Sequence, residues 1–337
     1  MTTRREFLAA VAATGAATHA RRLAAAEGAK PMRGAFMILN TPFNAFGAVD
    51  WDDLSREARF VDRAGCQGVV WPQGSSGVAT LTKAERMQGM EVLANVLRGK
   101  RAALVLGVQG RDTTEMLEYA RRAEALAADA VIAMPPSSGQ SIDEYYQYFR
   151  ALAGATKRPV IVQTSGGNRS LPPTTDLIVR LAREFSNFGY VKEETAPVLE
   201  RMREELRQRP PMKGIFGASF GVGWLYEMRL GLDGVITGNA MFADLMAKIW
   251  DLHERGKQDE LSDAYGKFLL MRNLDEQVPG ANLWVMKKRG IFKTTVTRAG
   301  APVEGSAPKL NHLTLAQDAI DEIEYRLAAI KPYLDLM

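Results

Sequence analysis

Tyr190, Lys192 and Glu194 alternate along one short segment in a way that brings two proton-carrying groups to a lysine amine. The segment Phe188-Gly189-Tyr190-Val191-Lys192-Glu193-Glu194 is an apolar run that breaks into charge, the pattern of a buried strand ending at a polar mouth. A lysine amine held there loses hydration, which disfavours its ammonium form and frees a lone pair to attack a carbonyl. Lys192 is therefore a candidate Schiff-base nucleophile. Side chains two apart on a strand share a face, so Tyr190 lies one layer deeper than the amine and Glu194 nearer the mouth. Both are candidate catalytic proton carriers. The plainer roles are a core-filling aromatic at Tyr190 and a mouth ion pair between Glu194 and Arg169.

A second constellation is Gly74-Ser75-Ser76-Gly77, which follows another apolar run. A turn of this composition aims consecutive backbone N–H groups and two hydroxyls at one point, and this suits a carboxylate. The same residues also make ordinary tight turns. Thr41 and Gln163 likewise stand just after apolar runs, and Arg169 is placed to grip a second acid group of a ligand. An amine nucleophile beside a carboxylate cradle fits 2-oxo-acid chemistry, in which one site holds the acid while the amine condenses with the adjacent ketone. Other chemistries are poorly supplied. The three histidines, His19, His253 and His312, lie far from one another and from the single cysteine, Cys66, so neither a His/Cys metal site nor a Ser-His-Asp triad is indicated. No cofactor motif is present, and the expected ligand is a small-molecule 2-oxo acid.

The elements that must position these residues recur regularly. Eight apolar runs begin near Ala35, Gln67, Ala103, Asp129, Pro159, Phe188, Lys213 and Gly234, and each is followed by an amphipathic helical stretch. Asp50, Thr82 with Glu85, Asp112 and Ser141 are helix-start signals between them. Strands apolar on both faces and separated by helices call for a parallel sheet, and eight such units predict a closed (β/α)8 TIM barrel over residues 31–256. An open doubly wound sheet is the alternative, disfavoured because Thr41-Pro42-Phe43 stands where a glycine-rich phosphate loop would follow the first strand. Residues 257–337 read as a C-terminal helical appendix of two or three helices, with a loop from Ala299 to Pro308. In such barrels the residues just beyond the strand ends carry the chemistry.

Composition is that of a globular chain, with 46% hydrophobic and 24% charged residues. The net charge of +4 is accounted for by Arg4, Arg5, Arg21, Arg22, Lys30 and Arg33 against Glu6 and Glu27, so the remainder is balanced and nucleic-acid binding is not indicated. Residues 1–30 resemble a twin-arginine export signal: Arg4-Arg5-Glu6-Phe7-Leu8, an alanine-rich run from Ala9 to Ala17, and small residues suited to cleavage after Ala20 or Ala26. The run is too short for a stable membrane anchor, so the expected location is periplasmic.

Taken together, Thr41-Pro42-Phe43 with Gly47 and Asp50, Gly74-Ser75-Ser76-Gly77 followed by Leu81-Thr82-x-x-Glu85-Arg86, Val191-Lys192-Glu193, and Gly234-Val235-Ile236 with Asn239 resemble the dihydrodipicolinate synthase and N-acetylneuraminate lyase superfamily. The resemblance covers roughly residues 32–335. It implies a class I aldolase or lyase in which Lys192 forms an imine, Ser75 and Ser76 bind the substrate carboxylate, and the chain assembles as a homotetramer or homodimer. The departures are specific. Pro136 stands at the position of the family's proton-relaying tyrosine after strand four, Gln163 at that of its strand-five tyrosine, and Val78 at that of a glutamate. The lysine-biosynthetic reaction does not fit a chain that lacks the relay tyrosine and is destined for export, and Tyr190 or Glu194 must move protons instead. A non-catalytic periplasmic acid-binding barrel and a sugar-acid dehydratase using the same lysine are the alternatives.

Overall fold

A computed structural model of the chain describes residues 30–303 and 305–334, so residues 1–29, where the sequence suggests an export signal, lie outside the described residues. The chain from Met32 onward forms one compact unit. Its first part alternates β1 (Gly34–Ile38), α1 (Trp51–Arg63), β2 (Gly68–Trp71), α2 (Lys83–Leu97), β3 (Ala103–Gly107) and α3 (Thr113–Ala125). The alternation continues with β4 (Ala130–Ala133), α4 (Ile142–Ala155), β5 (Val160–Gln163), α5 (Thr175–Glu184), β6 (Tyr190–Lys192) and α6 (Val198–Arg207). It closes with β7 (Gly214–Gly217), α7 (Trp224–Leu230), β8 (Gly234–Thr237) and α8 (Ala243–Glu254). All eight strands are parallel, and β8 pairs back onto β1, which closes the barrel and excludes the open sheet.

Helix starts follow the sequence signals. Asp50, Thr82, Asp112 and Ser141 each accept a hydrogen bond from the third helical N–H, and Glu85 returns one to Thr82 in a full capping box. Each cap satisfies a donor that the helix itself leaves free, worth about 1 kcal/mol. The helices seat their apolar stripes on the outer faces of the strands, where Leu54, Val61, Leu93, Tyr119, Tyr148 and Phe149 are buried.

Inside the barrel a separate core of Phe36, Ile38, Val70, Val105, Ile132, Ile161, Phe216 and Ile236 is sealed from solvent. Two rings fit only because a facing residue is glycine. A Cβ on Gly68 would lie 2.0 Å from Phe36, and one on Gly214 would lie 2.6 Å from Tyr190, its own register partner. The strand register then sets Gln163, Lys192 and Phe216 side by side at the C-terminal end of β5, β6 and β7.

Beyond the barrel come α9 (Gln258–Gln277), α10 (Ala281–Lys288) and α11 (Gln317–Ile330). Between the last two lies an antiparallel pair, β9 (Val296–Ala299) with β10 (Lys309–His312), two strands the sequence did not suggest that flank the expected loop from Ala299 to Pro308. It forms because Arg298 is held from outside the pair. Its guanidinium grips Glu85 through both Nη atoms (2.9 and 2.7 Å) and donates to the carbonyls of Gly47 (2.7 Å) and Thr80 (3.2 Å). The C-terminal helices are anchored by Arg289, which pairs with Asp244 at 2.6 Å, both side chains essentially inaccessible to water.

Candidate active site

Lys192 is the last residue of β6 and points into the C-terminal mouth of the barrel with only 4% of its surface exposed. Burial holds its amine below the ordinary lysine range, partly offset by Glu194, whose Oε1 lies 3.1 Å from Nζ. The other carboxylate oxygen of Glu194 accepts a hydrogen bond from the Ser165 hydroxyl. Ser165 Oγ in turn accepts from Gln163 Nε2 at 2.9 Å. The result is a ladder across two strand ends, Gln163-Ser165 facing Lys192-Glu194, that joins the amine to a carboxylate and a hydroxyl. Gln163 also presents a buried Oε1 with no hydrogen-bond partner.

The backbone beneath this ladder is fixed from the outer face. Thr164 Oγ1 accepts from the Glu194 N–H (2.8 Å) and donates to Glu193 (2.6 Å). Glu193 is fully buried and also takes hydrogen bonds from Arg201 Nε (3.0 Å) and the Thr195 N–H (2.6 Å). Burial and the Glu193 carboxylate push neighbouring Glu205 far above the carboxylate range, so Glu205 stays protonated beside the Arg201–Glu193 ion pair.

Tyr190 sits apart from this group. It is half-buried at the start of β6, its ring packed on the inner core, and its hydroxyl has no hydrogen-bond partner among the described residues. The structure thus brings Glu194 to the amine and leaves Tyr190 in the apolar layer below. Glu194 makes its ion pair with Lys192 instead of Arg169, which is exposed and has no ion pair among the described residues.

The Gly74-Ser75-Ser76 segment is a turn of 3-10 helix rather than a simple reverse turn. Gly74 and Ser75 are exposed, and their N–H groups, at the start of the turn, have no backbone acceptor. Ser76 is buried and its hydroxyl accepts from the Gln73 N–H at 3.1 Å. Ser75 makes no side-chain hydrogen bond among the described residues, and the Ser76 hydroxyl, which only accepts, keeps its proton to donate. Thr41 also differs from its expected role as a substrate contact. Its hydroxyl donates to the Ser76 carbonyl (2.6 Å) and accepts from Trp71 Nε1 (3.1 Å), so it fixes the turn from below.

Elsewhere around the mouth, the segments Met134-Pro135-Pro136 and Gly166-Gly167 are apolar, whereas Arg86, Gln109, Arg111, Glu115 and Tyr119 stand on the β3 side. Met134-Pro135-Pro136 follow β4, and the backbone of Gly166 and Gly167 packs directly on Met134 and Pro135, where a Cβ would meet them at 2.5 and 2.9 Å. After β7 the chain makes a left-handed turn through Ser219, Phe220 and Gly221, with φ of 48°, 53° and 76°. For Ser219 and Phe220 this conformation costs about 1–2 kcal/mol each relative to a right-handed one. A cavity of about 400 Å³ opens at the ends of β2 to β5, bordered by Val78, Gln109, Met134, Pro135 and Gly167. No cluster of three or more metal-ligating side chains occurs among the described residues.

Ser165 was not singled out by the sequence. The signal that finds it is the strand register: Gln163 pairs with Lys192, so the residue two beyond each must also face its counterpart.

Comparison with known proteins agrees with this architecture. The 4-hydroxy-tetrahydrodipicolinate synthase of Chlorobaculum parvum is 31% identical over 206 residues, spanning 60% of this chain and 68% of that enzyme. That of Chloroherpeton thalassium is 27% identical over 287 residues, 82% of this chain and 92% of the enzyme. Among solved structures, dihydrodipicolinate synthase from Rhodopseudomonas palustris superposes with a TM-score of 0.74 at 23% identity, covering 89% of this chain and 98% of that one. The Aquifex aeolicus enzyme gives 0.75 at 18% identity, covering 90% and 100%. The sequence profile of the Dihydrodipicolinate synthetase family matches residues 31–305, and the chain belongs to that family.

Proposed function

We propose that, within the aldolase-type lyases of its family, this chain forms an imine between Lys192 and a pyruvate-type 2-oxo acid. The observation that carries the reading is the buried amine of Lys192, held below its usual pKa and paired with the single carboxylate of Glu194 at 3.1 Å. The free N–H groups of Gly74 and Ser75 and the Ser75 hydroxyl receive the acid group of the substrate. The neutral amine adds to the ketone carbon as the C=O π bond breaks, leaving an alkoxide; Glu194 takes one proton from the nitrogen and returns it through Ser165 to the alkoxide, which gives the carbinolamine. A second proton, taken up by Glu194 from solvent, passes by the same route to the hydroxyl, which leaves as water as the nitrogen lone pair forms the protonated C=N bond. The protonated imine draws electrons from the adjacent carbon, so either a C–C bond to that carbon breaks or its proton is removed. Glu194 and Ser165 stand in for the absent tyrosine hydroxyls, since Pro136 packs beside Gly139 with no proton to transfer.

Borohydride reduction in the presence of pyruvate tests this directly. The expected result is a stable mass increase mapped to the peptide containing Lys192 and lost in Lys192→Ala. Pyruvate binding without any adduct would instead make the chain an acid-binding barrel.

A further inference from the structure

The left-handed turn after β7 is an expensive way to build a loop, and it carries an exposed aromatic ring. Glycine at Ser219 and Phe220 would remove the backbone strain, yet side chains are kept at both positions. The turn is also held rigidly. Asn239 Nδ2 donates to the Phe220 carbonyl (2.7 Å), the Tyr265 hydroxyl donates to the Gly221 carbonyl (2.8 Å), and the Arg272 guanidinium lies 4.4 Å from the centre of the Phe220 ring. Asn239, Tyr265 and Arg272 are all buried, whereas Phe220 is 43% exposed.

The ring stands beside the acid-binding turn. A Cβ placed on Gly238 would lie 3.0 Å from Ser75 Oγ and 3.3 Å from the edge of the Phe220 ring. Gly238 thus keeps open a gap bordered by the Ser75 hydroxyl on one side and the ring on the other. Across the mouth, Met134-Pro135-Pro136 after β4 and Gly166-Gly167 after β5 offer a ligand tail no side-chain hydrogen-bonding group. Arg272 covers one face of the ring and is itself balanced by Asp275 and Glu276, so the exposed part of Phe220 offers apolar surface with no free charge behind it.

We propose that Phe220 is the wall that receives the substrate's tail, and that the tail is flat and apolar, an aromatic 2-oxo acid rather than a sugar acid or a dicarboxylate. The proposal rests on the 2-oxo-acid reading of the site, and it concerns the tail alone. A stacked or edge-on aromatic contact of this kind strengthens binding by about tenfold.

Titration calorimetry on the full chain with 4-phenyl-2-oxobutanoate and with 2-oxobutanoate isolates the contribution of the ring, because the two acids differ only there. The phenyl acid is expected to bind about tenfold more tightly, with the ratio falling to near unity in Phe220→Ala and to an intermediate value in Phe220→Leu. A ratio near unity in the unmodified chain, or one unchanged in Phe220→Ala, overturns the proposal. So does light scattering that shows Phe220→Ala losing subunits while the ratio persists, because the ring would then serve a contact between copies. The ratio does not depend on covalent chemistry. Its persistence in Lys192→Ala supports the tail site even where borohydride finds no imine.

Discussion

Replacing Glu194 by glutamine removes one charge from the site and little else, since glutamine has the same size and can still accept the Ser165 hydroxyl. Glu194 stabilises the ammonium form of Lys192 from 3.1 Å. A hydrogen bond to a charged group contributes about 1.5–3 kcal/mol. Glu194 is the group that raises the Lys192 pKa against the effect of burial, so losing its charge lowers that pKa further. The free amine then persists to lower pH, and the pH at which borohydride trapping reaches half its maximum should move acidward. Proton transfer should respond oppositely. A positioned acid–base group contributes roughly a hundred- to ten-thousandfold, so exchange of the pyruvate methyl protons for deuterium, followed by NMR, should slow by at least about a hundredfold. Mere destabilisation of the fold would depress trapping and exchange together. Exchange at the wild-type rate in Glu194→Gln, or a trapping profile that moves toward alkali, would refute the assignment of Glu194 as the proton carrier.

Two further predictions concern stability. Burial pushes the carboxyl of Glu57 up to about 8, despite two hydrogen bonds from Asn40, and that of Glu227 up to about 7. The folded chain therefore holds protons that the unfolded chain releases near 4.5, and stability falls as pH rises from about 5 to about 8, by up to about 1.4 kcal/mol per pH unit for each group. Urea midpoints should be lower at pH 8 than at pH 5.5, and Glu57→Gln should narrow the gap; a midpoint that climbs over this interval contradicts the sign. Arg289→Met strands the Asp244 carboxylate in a site closed to water and should cost about 3–5 kcal/mol, read from the urea midpoint. Adding Asp244→Asn should recover much of that loss, and an equal loss in the double variant would show that the pair's charge is not what matters.

The barrel was readable because its signals are local. Each strand is a short apolar run, each of the first five helices opens on a side chain that caps it, and Lys192 ends the sixth run, so position along the chain was enough to bring it to the mouth. The β9–β10 pair was not readable, because β10 is mostly exposed, β9 is only partly buried and neither shows apolar alternation; Arg298 and its distant partners hold them. Thr41 reads from its position as a substrate contact, whereas its hydroxyl donates to the Ser76 carbonyl and accepts from Trp71, an arrangement fixed only once three loops meet. The choice between Tyr190 and Glu194 needed depth as well as facing. Two residues along a strand is a whole layer of core, and the glycine at 214 makes room for the tyrosine there.

The Arg298 clasp has a consequence for the order in which the site is made. The loops it ties, at Gly47 and Thr80 to Glu85, belong to the first quarter of the barrel, and Thr294 adds a hydrogen bond to the Phe43 carbonyl. On a growing chain those loops emerge more than two hundred residues before their fastener. All eight strands can pair and Lys192 can be enclosed while the loops at Gly47 and Thr80 to Glu85 still lack their outer support. On the proposed function, a nascent or C-terminally clipped chain would hold Lys192 in place before the neighbouring turn proposed to receive the acid is settled.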